Sequence, residues 1–186
     1  MSPPPAASPT LRSTASPTVA CHASAHSDAL IMVKVEALTA EAFAPFGDVI
    51  EVAGAHQFEI NDGFTTRVHD LFQPDLQGTH TRVLINFFLG RPRPLSVSML
   101  ECHPFGSQAF IPMSEQDWWV VVAPDADIDQ LRVFRARGDQ GVNYHTGTWH
   151  HPLLVDQAQQ FLVVDRQGLE KNCDEVHFNR SISWKL

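Results

Sequence analysis

The sequence predicts an all-β fold in which mainly antiparallel strands form a single barrel, preceded by one short helical turn. Short β-type runs are separated by turn residues along most of the chain. No long amphipathic helix interrupts these runs, which favours an antiparallel barrel or sandwich over a parallel α/β sheet. The 186 residues, 44% of them hydrophobic, are enough for one domain with an apolar core.

The folded pattern begins next to Met32, which is a plausible natural start. Pro, Ala, Ser and Thr dominate residues 1–31, so we expect a disordered tail there. Residues 32–186 are expected to form a single domain. The sequence predicts a strand from Val33, followed by a short helical turn over residues 38–43.

Thr39 is the predicted N-cap of this turn, and Pro45 disfavours helical backbone at the residue before it. Gly47 follows, and the next strand is predicted from Asp48 to Val52. Further strands are predicted at 57–60, 65–71, 82–89, 95–101, 108–111, 118–123, 131–137 and 161–165.

Charge and cysteine content limit the classes of partner and the compartment. The chain has 13 Lys and Arg against 21 Asp and Glu, a formal net charge of -8, which argues against binding to nucleic acid or to an anionic membrane. No apolar run reaches the roughly 18 residues of a membrane span. Three cysteines, Cys21, Cys102 and Cys173, make a disulfide framework improbable and indicate a reducing, cytoplasmic setting.

The segment from Gly138 to Pro152 concentrates chemistry in what reads as a turn-rich loop. It holds three imidazoles, a phenol and an indole: His145, His150, His151, Tyr144 and Trp149. Gly138, Gly141 and Gly147 are expected to allow positive φ and close approach to a ligand. Histidines supply ligand nitrogens or proton carriers near neutral pH. The alternative is that these side chains only close one end of the barrel.

A second polar group is predicted on the strand before Pro104. Strand alternation places Leu95, Val97, Met99, Glu101 and His103 on one face, with Cys102 on the other. Gln108 begins the next strand, so its side chain is expected to converge with Glu101 and His103. Either these groups bind a metal or substrate, or they form a buried hydrogen-bond network.

The spacing of these residues resembles the two motifs of the cupin barrels. Glu101-x-His103-(x)4-Gln108 has the spacing of the first motif, His-x-His-(x)4-Glu, with two ligands substituted. His145-x-Gly147-x-x-His150 has the spacing of the second, Pro-x-Gly-x-x-His. The resemblance implies a cupin-like β-barrel with Glu101, His103, Gln108 and His150 as ligands of a divalent ion such as Ni, Zn, Mn or Fe(II).

A closer resemblance covers Met32 to about Cys173. The stretches that carry it are Leu38-Thr39-x-Glu41-Ala42-Phe43-x-x-Phe46-Gly47-Asp48, His69-Asp70-Leu71, His103-Pro104-x-Gly106-Ser107-Gln108, Gln140 to Pro152, and Asp165-Arg166. Together they are similar to ureidoglycolate lyases. That resemblance implies cleavage of ureidoglycolate to glyoxylate and urea in the allantoin branch of purine breakdown. It also implies a homodimer, and nickel or another divalent metal without an organic cofactor.

Residue roles follow from the chemistry that this resemblance implies. Cleavage of a carbinolamide needs a base for the hydroxyl proton and an acid for urea, which suits His103, His145, His150 and His151. His103 and His150 are the expected metal or polarising groups, and His145 or His151 the proton carrier. Arg67, Arg137 and Arg166 are expected to bind the substrate carboxylate, together with His69 and Tyr144.

The chain departs from the family pattern at three positions, one of which is Val68, where the resemblance leads us to expect an aromatic residue before His69. Cys102 and Phe87 stand where the resemblance leads us to expect arginine. Two other functions therefore remain open at this point: a metal-dependent cupin dioxygenase or isomerase, and a non-catalytic barrel that binds a small ligand.

Overall fold

The computed structural model describes residues 33–185, which form a layered β structure. Its elements are β1 Val35–Ala37, α1 Ala40–Phe43, β2 Gly47–Ile50, β3 His56–Ile60, β4 Thr65–His69, β5 Arg82–Gly90, β6 Ser96–Cys102, β7 Gln108–Pro112, β8 Trp118–Ala123, β9 Arg132–Ala136, β10 Gly141–Tyr144, β11 Trp149–His150, β12 Gln159–Gln167 and β13 Asp174–Ser183. The predicted all-β class and N-terminal helical turn are confirmed. The tail predicted for residues 1–31, and Met32, lie outside the described residues.

The strands of residues 33–185 are hydrogen-bonded in separate sheets rather than in one continuous ring. A six-stranded sheet has the order β1-β9-β8-β11-β6-β13, and a five-stranded sheet has the order β2-β10-β7-β12-β5. The hairpin β3-β4 lies apart from both. The pair β1 and β9 is parallel, and the other paired strands run antiparallel.

The core lies on both faces of the six-stranded sheet, and β8 shows why. Every residue of β8 is buried, and its side chains alternate between two apolar clusters. Trp118, Val120 and Val122 join the cluster between the two sheets, which we call the inner core. Trp119, Val121 and Ala123 join a cluster on the opposite face, the outer core. A fully buried strand needs no polar face, so this run is almost continuously apolar.

The helical turn forms as the sequence predicts. The Thr39 side chain accepts a hydrogen bond from the Ala42 backbone N–H at 3.1 Å, which caps α1. Phe43 is fully buried and meets the edge of the Phe134 ring, so the turn is anchored to the inner core. No helix within residues 33–185 has the length and apolar character needed to cross a bilayer.

The prediction that residues 138–152 form a turn-rich loop is wrong in part. Gly141–Tyr144 is the fully buried strand β10, in the middle of the five-stranded sheet. Gly147 has a positive φ of 81°, whereas Gly138 and Gly141 do not require one. They provide space instead: a Cβ on Gly141 would lie 2.5 Å from the Phe110 carbonyl oxygen, and one on Gly138 would lie 2.2 Å from the Glu115 carbonyl carbon.

The predicted inward face of β6 is also wrong over its first half. Val97 and Leu100 both belong to the outer core, three residues apart, so alternation changes phase between them. The cause is an irregularity against β13, where His177 pairs with Met99 but Ile182 pairs with Val97. Glu101 therefore shares a face with neither Leu95 nor Val97.

Candidate functional site

Three predicted metal ligands meet beside the inner core. Strand β11 lies between β6 and β8, and its register places His150 directly opposite Glu101. Glu101 Oε1 lies 3.6 Å from His150 Nε2. One ligand atom each of Glu101, His103 and His150 lies within 4.8 Å of the others. We call these three residues the inner cluster.

Both histidines of the inner cluster are fixed in the same tautomer. The Nδ1–H of His103 donates to the Asn172 carbonyl oxygen at 2.6 Å, and that of His150 donates to the Thr148 carbonyl oxygen at 2.8 Å. A carbonyl only accepts, so Nδ1 carries the hydrogen and Nε2 keeps its lone pair. Both Nε2 atoms are buried without a hydrogen-bond partner among residues 33–185.

This arrangement is the one found in metal-binding histidines, where the second ring nitrogen donates to an oriented acceptor. Sequence reasoning missed both acceptors. Asn172 and Thr148 act through their backbone carbonyls, which leave no signal in the residue type.

Burial sets the charge state of the inner cluster. His150 is 1% exposed and stacks on the Tyr144 ring at 4.1 Å with an angle of 12°. Desolvation, with a smaller contribution from His103, lowers the pKa of His150 to about 3. Burial raises the pKa of Glu101 and that of Tyr144. Near neutral pH, His150 is therefore an uncharged ligand and not a proton donor.

A cavity of about 140 Å³ opens beside His103, and Gln108 and Asp165 line it. Gln108 is buried, and its Oε1 has no hydrogen-bond partner among residues 33–185. The amide of Asn86 donates to both oxygens of Asp165 at 3.3 Å. Burial raises the pKa of Asp165, while Asn86 and the nearby His103 lower it.

Asp165 was not among the predicted site residues, although a signal was available. The alternation Phe161, Val163, Asp165 continues the inner-core face of β12. An acidic residue at the end of an inward-facing apolar series is unusual, because burial of an unpaired carboxylate is costly.

The structure does not bring His145 or His151 into the inner cluster. His145 Nε2 lies 3.2 Å from Asp48 Oδ2, and both residues line a cavity of about 360 Å³ that shares Ser107 with the cavity beside His103. The Nδ1–H of His151 donates to the Pro152 carbonyl at 2.7 Å. Burial lowers the pKa of His151 to about 4. The role of His145 and His151 as proton carriers stays a prediction.

The hairpin β3-β4 holds two predicted substrate-binding residues. His69 packs against Phe58, with ring centroids 5.6 Å apart, and lines a cavity of about 410 Å³. The Arg67 guanidinium lies 5.8 Å from the Phe58 ring centroid. The cavity beside His103 and the one beside His69 have no lining residue in common.

The other two predicted carboxylate binders are already engaged. Arg137 pairs with Glu51 at 3.0 Å and with Asp139 at 2.9 Å. Arg166 is buried; its Nε–H donates to the Gln77 carbonyl at 2.7 Å, and its Nη2 pairs with the Glu170 carboxylate. These contacts engage Nε and Nη2 of both guanidinium groups, so binding of a substrate carboxylate through these atoms would cost a partner. Arg166 also lines the cavity beside His103.

Comparisons with known proteins give a consistent result. The family model described as ureidoglycolate lyase matches residues 30–185. Ureidoglycolate lyase of Brucella ovis is 56% identical over 150 residues, which cover 78% of this chain and 89% of that protein. Ureidoglycolate lyase of Burkholderia mallei is 48% identical over 155 residues, or 81% of this chain and 91% of that protein. This chain belongs to the ureidoglycolate lyase family.

Proposed function

We propose that this protein is a ureidoglycolate lyase that cleaves ureidoglycolate to glyoxylate and urea in allantoin breakdown. Family membership supports the substrate, and the inner cluster supports the chemistry. The observation that carries the chemistry is the pair of buried, unpartnered Nε2 atoms of His103 and His150 beside the Glu101 carboxylate.

The reaction needs proton movement at two atoms. Ureidoglycolate carries a hydroxyl group and a ureido nitrogen on one carbon, so the hydroxyl loses its proton as the carbon–nitrogen bond breaks, and urea gains one. We assign the proton carrier to Asp165, because burial raises its pKa and it lines the same cavity as His103. His145 lines the neighbouring cavity, which shares Ser107 with this one, and burial lowers the pKa of His151 to about 4.

The inner cluster fits a divalent ion. Ligands at about 2.05 and 2.1 Å from one ion at the tetrahedral angle lie about 3.4 Å apart. The 3.6 Å separation of His150 Nε2 and Glu101 Oε1 is close to this value. Two imidazoles and a carboxylate suit nickel, zinc, manganese or iron(II). We propose nickel on the family resemblance, with Gln108 as a fourth ligand.

Charge balance supports the same assignment. Glu101 lies in the inner cluster, Asp165 lines the cavity beside His103 together with Arg166, and the substrate adds a carboxylate. Within residues 33–185, no Lys or Arg side chain pairs with Glu101 or Asp165. A bound divalent ion would offset these charges and acidify the substrate hydroxyl. His103, His150 and Glu101 would hold it, and Tyr144 keeps the His150 ring in place by stacking.

We further propose a cytoplasmic homodimer that associates through β5. This strand is an edge of the five-stranded sheet, and alternate side chains along it are exposed and apolar: Val83, Ile85, Phe87 and Leu89. An unpaired edge with an apolar face favours association with a second copy. The cytoplasm is proposed because Cys102 and Cys173 are both free thiols.

Turnover of ureidoglycolate by the purified protein tests the activity directly. Glyoxylate and urea should appear in equal amounts; ammonia in place of urea would indicate hydrolysis instead. Oxygen uptake would favour a dioxygenase, and tight glyoxylate binding without turnover would favour a binding protein. Asp165→Asn should lower kcat by about 10² or more. The matched control Asp125→Asn removes an exposed carboxylate and should turn over at the wild-type rate.

A further inference from the structure

A second group of ligand atoms adjoins the inner cluster and shares one residue with it. Glu101, Cys173 and Glu175 each place a ligand atom within 4.8 Å of the others. Cys173 Sγ lies 3.8 Å from Glu101 Oε2 and 3.9 Å from Glu175 Oε1. We call Glu101, Cys173 and Glu175 the outer cluster. It lies where β13 begins beside the end of β6.

The carboxylate oxygens are divided between separate partners. Glu101 directs Oε1 toward His150 Nε2 and Oε2 toward Cys173. Glu175 directs Oε1 toward Cys173, while its Oε2 lies 3.4 Å from His177 Nε2. Glu101 thus presents one oxygen to each cluster, and His177 lies beside the second oxygen of Glu175, where a hydrogen bond can orient a metal ligand.

A thiol hydrogen bond alone does not account for this geometry. A thiol has a single hydrogen and donates to one acceptor, so one of the two carboxylates facing Cys173 is left without it. In a tetrahedral zinc site with bonds of about 2.3 Å to sulfur and 2.1 Å to oxygen, these ligand atoms lie about 3.6 Å apart. The observed 3.8 and 3.9 Å are slightly wider.

The carboxylate that both clusters share links the outer cluster to a buried nitrogen. His150 Nε2 is buried, unpartnered, and directed at the Glu101 carboxylate. Within the described part of the chain, no Lys or Arg side chain forms an ion pair with Glu101 or Glu175. The five ligand residues of the two clusters therefore concentrate carboxylate, thiol and imidazole groups, and the two carboxylates have no ion-pair partner among the Lys and Arg side chains.

We propose that the outer cluster binds a second, thiophilic divalent ion of the zinc class, bridged by Glu101 to the ion of the inner cluster. Only the bridge through Glu101 depends on the proposed inner ion; the outer site itself does not. Cys173 Sγ loses its proton to solvent as the sulfur–metal bond forms, and Glu101 Oε2 and Glu175 Oε1 complete three protein ligands. Glu175 and Cys173 are less buried than His150, so the outer ion exchanges first when a chelator is added.

Cobalt(II) titration of the metal-stripped, full-length protein tests this proposal. The wild type should bind two ions per chain, and a sulfur-to-cobalt charge-transfer band in the near ultraviolet should develop with one of them. Cys173→Ser should abolish the band and reduce the stoichiometry to one. Cys102→Ala and Cys21→Ser, the matched thiol controls, should keep both. His177→Ala should weaken the outer ion by about tenfold, because it removes the group that orients Glu175.

Each alternative outcome overturns a defined part of the proposal. One ion without a thiolate band overturns the outer site and leaves the inner ion intact. A band that persists in Cys173→Ser assigns the sulfur to another cysteine and overturns the outer cluster. No bound ion overturns both sites, and ureidoglycolate turnover by the same metal-stripped sample then decides the proposed activity separately.

Discussion

Replacing His103 and His150 in turn separates chemistry from structural support, because the two side chains differ in burial. His103 is partly exposed, whereas His150 is enclosed and stacked on Tyr144. If both nitrogens serve the reaction, His103→Ala and His150→Ala should each lower kcat/KM by about 10² or more, equivalent to about 2.7 kcal/mol.

The stability effects should differ although the activity effects agree. His103→Ala loses the hydrogen bond to Asn172, worth about 1 kcal/mol. His150→Ala also leaves a cavity beside Tyr144, and large-to-small changes in a core cost about 3 kcal/mol. For a domain of this size, that cost lowers Tm by about 6 to 12 °C.

Both quantities are measured on the same samples. Steady-state assays at a temperature where all variants are folded give kcat/KM, and melting curves give Tm. Cys102→Ala is the control, because Cys102 is buried on the opposite side of β6 and should affect packing alone. Wild-type turnover in folded His103→Ala would refute the assigned role. The assigned role would also be refuted if the loss of activity followed the loss in Tm across His103→Ala, His150→Ala and Cys102→Ala.

Three further predictions concern stability and assembly. First, the metal-stripped protein should lose stability as pH falls from about 6.5 toward 4: the unfolded chain takes up a proton on His151, while the folded chain, with a pKa of about 4, does not. The slope is about 1.4 kcal/mol per pH unit for this residue. The pKa of His150, about 3, makes this residue act in the same direction. Urea titrations at several pH values should show that the free energy of unfolding depends less steeply on pH in His151→Gln than in the wild type. Equal slopes in the two proteins would contradict the prediction. Second, deletion of residues 1–31 should leave Tm and turnover unchanged, because that segment has few core-forming residues; a large drop in Tm would show that the segment packs on the domain. Third, the protein should sediment as a dimer at micromolar concentration and Phe87→Glu as a monomer, whereas Val52→Glu, at a similarly exposed site away from β5, should stay dimeric; a monomeric wild type would exclude the proposed assembly.

Local pattern was sufficient to predict the elements whose signal is local. The β-type runs of β4 to β9 and the Thr39 cap could all be read from neighbouring residues, and the structure contains them. Strands β10 and β11 were hidden because glycine, asparagine and histidine are poor strand formers in isolation. Their placement depends on partners far along the chain: β10 lies between β2 and β7, and β11 lies between β8 and β6. Register of this kind has no local signature.

At the site, too, the sequence predicted which residue types come together but not how the fold changes their environment. Motif spacing identified Glu101, His103 and His150, and the structure brings them together. It did not identify Asp165, whose raised pKa comes from burial. The phase change in β6 was also beyond reach, because it arises from the extra residues of β13 opposite Ser98.

The buried polar atoms in and beside the inner cluster destabilise the folded state, and this destabilisation is an argument that they serve a function. Each buried polar group without a partner destabilises the folded state by about 1 to 3 kcal/mol. His103 Nε2, His150 Nε2 and Gln108 Oε1 are three such atoms next to a well-packed apolar core. Apolar side chains of similar volume at these positions would avoid the desolvation cost and keep the packing. We infer that the chain keeps His103, Gln108 on β7 and His150 on β11 for what they bind. All three unpartnered atoms offer a lone pair. A ligand that offsets the desolvation cost must therefore be a cation or a hydrogen-bond donor. Both descriptions fit the proposed site, where His103, His150 and Glu101 would hold a divalent ion and the substrate hydroxyl would supply a hydrogen-bond donor.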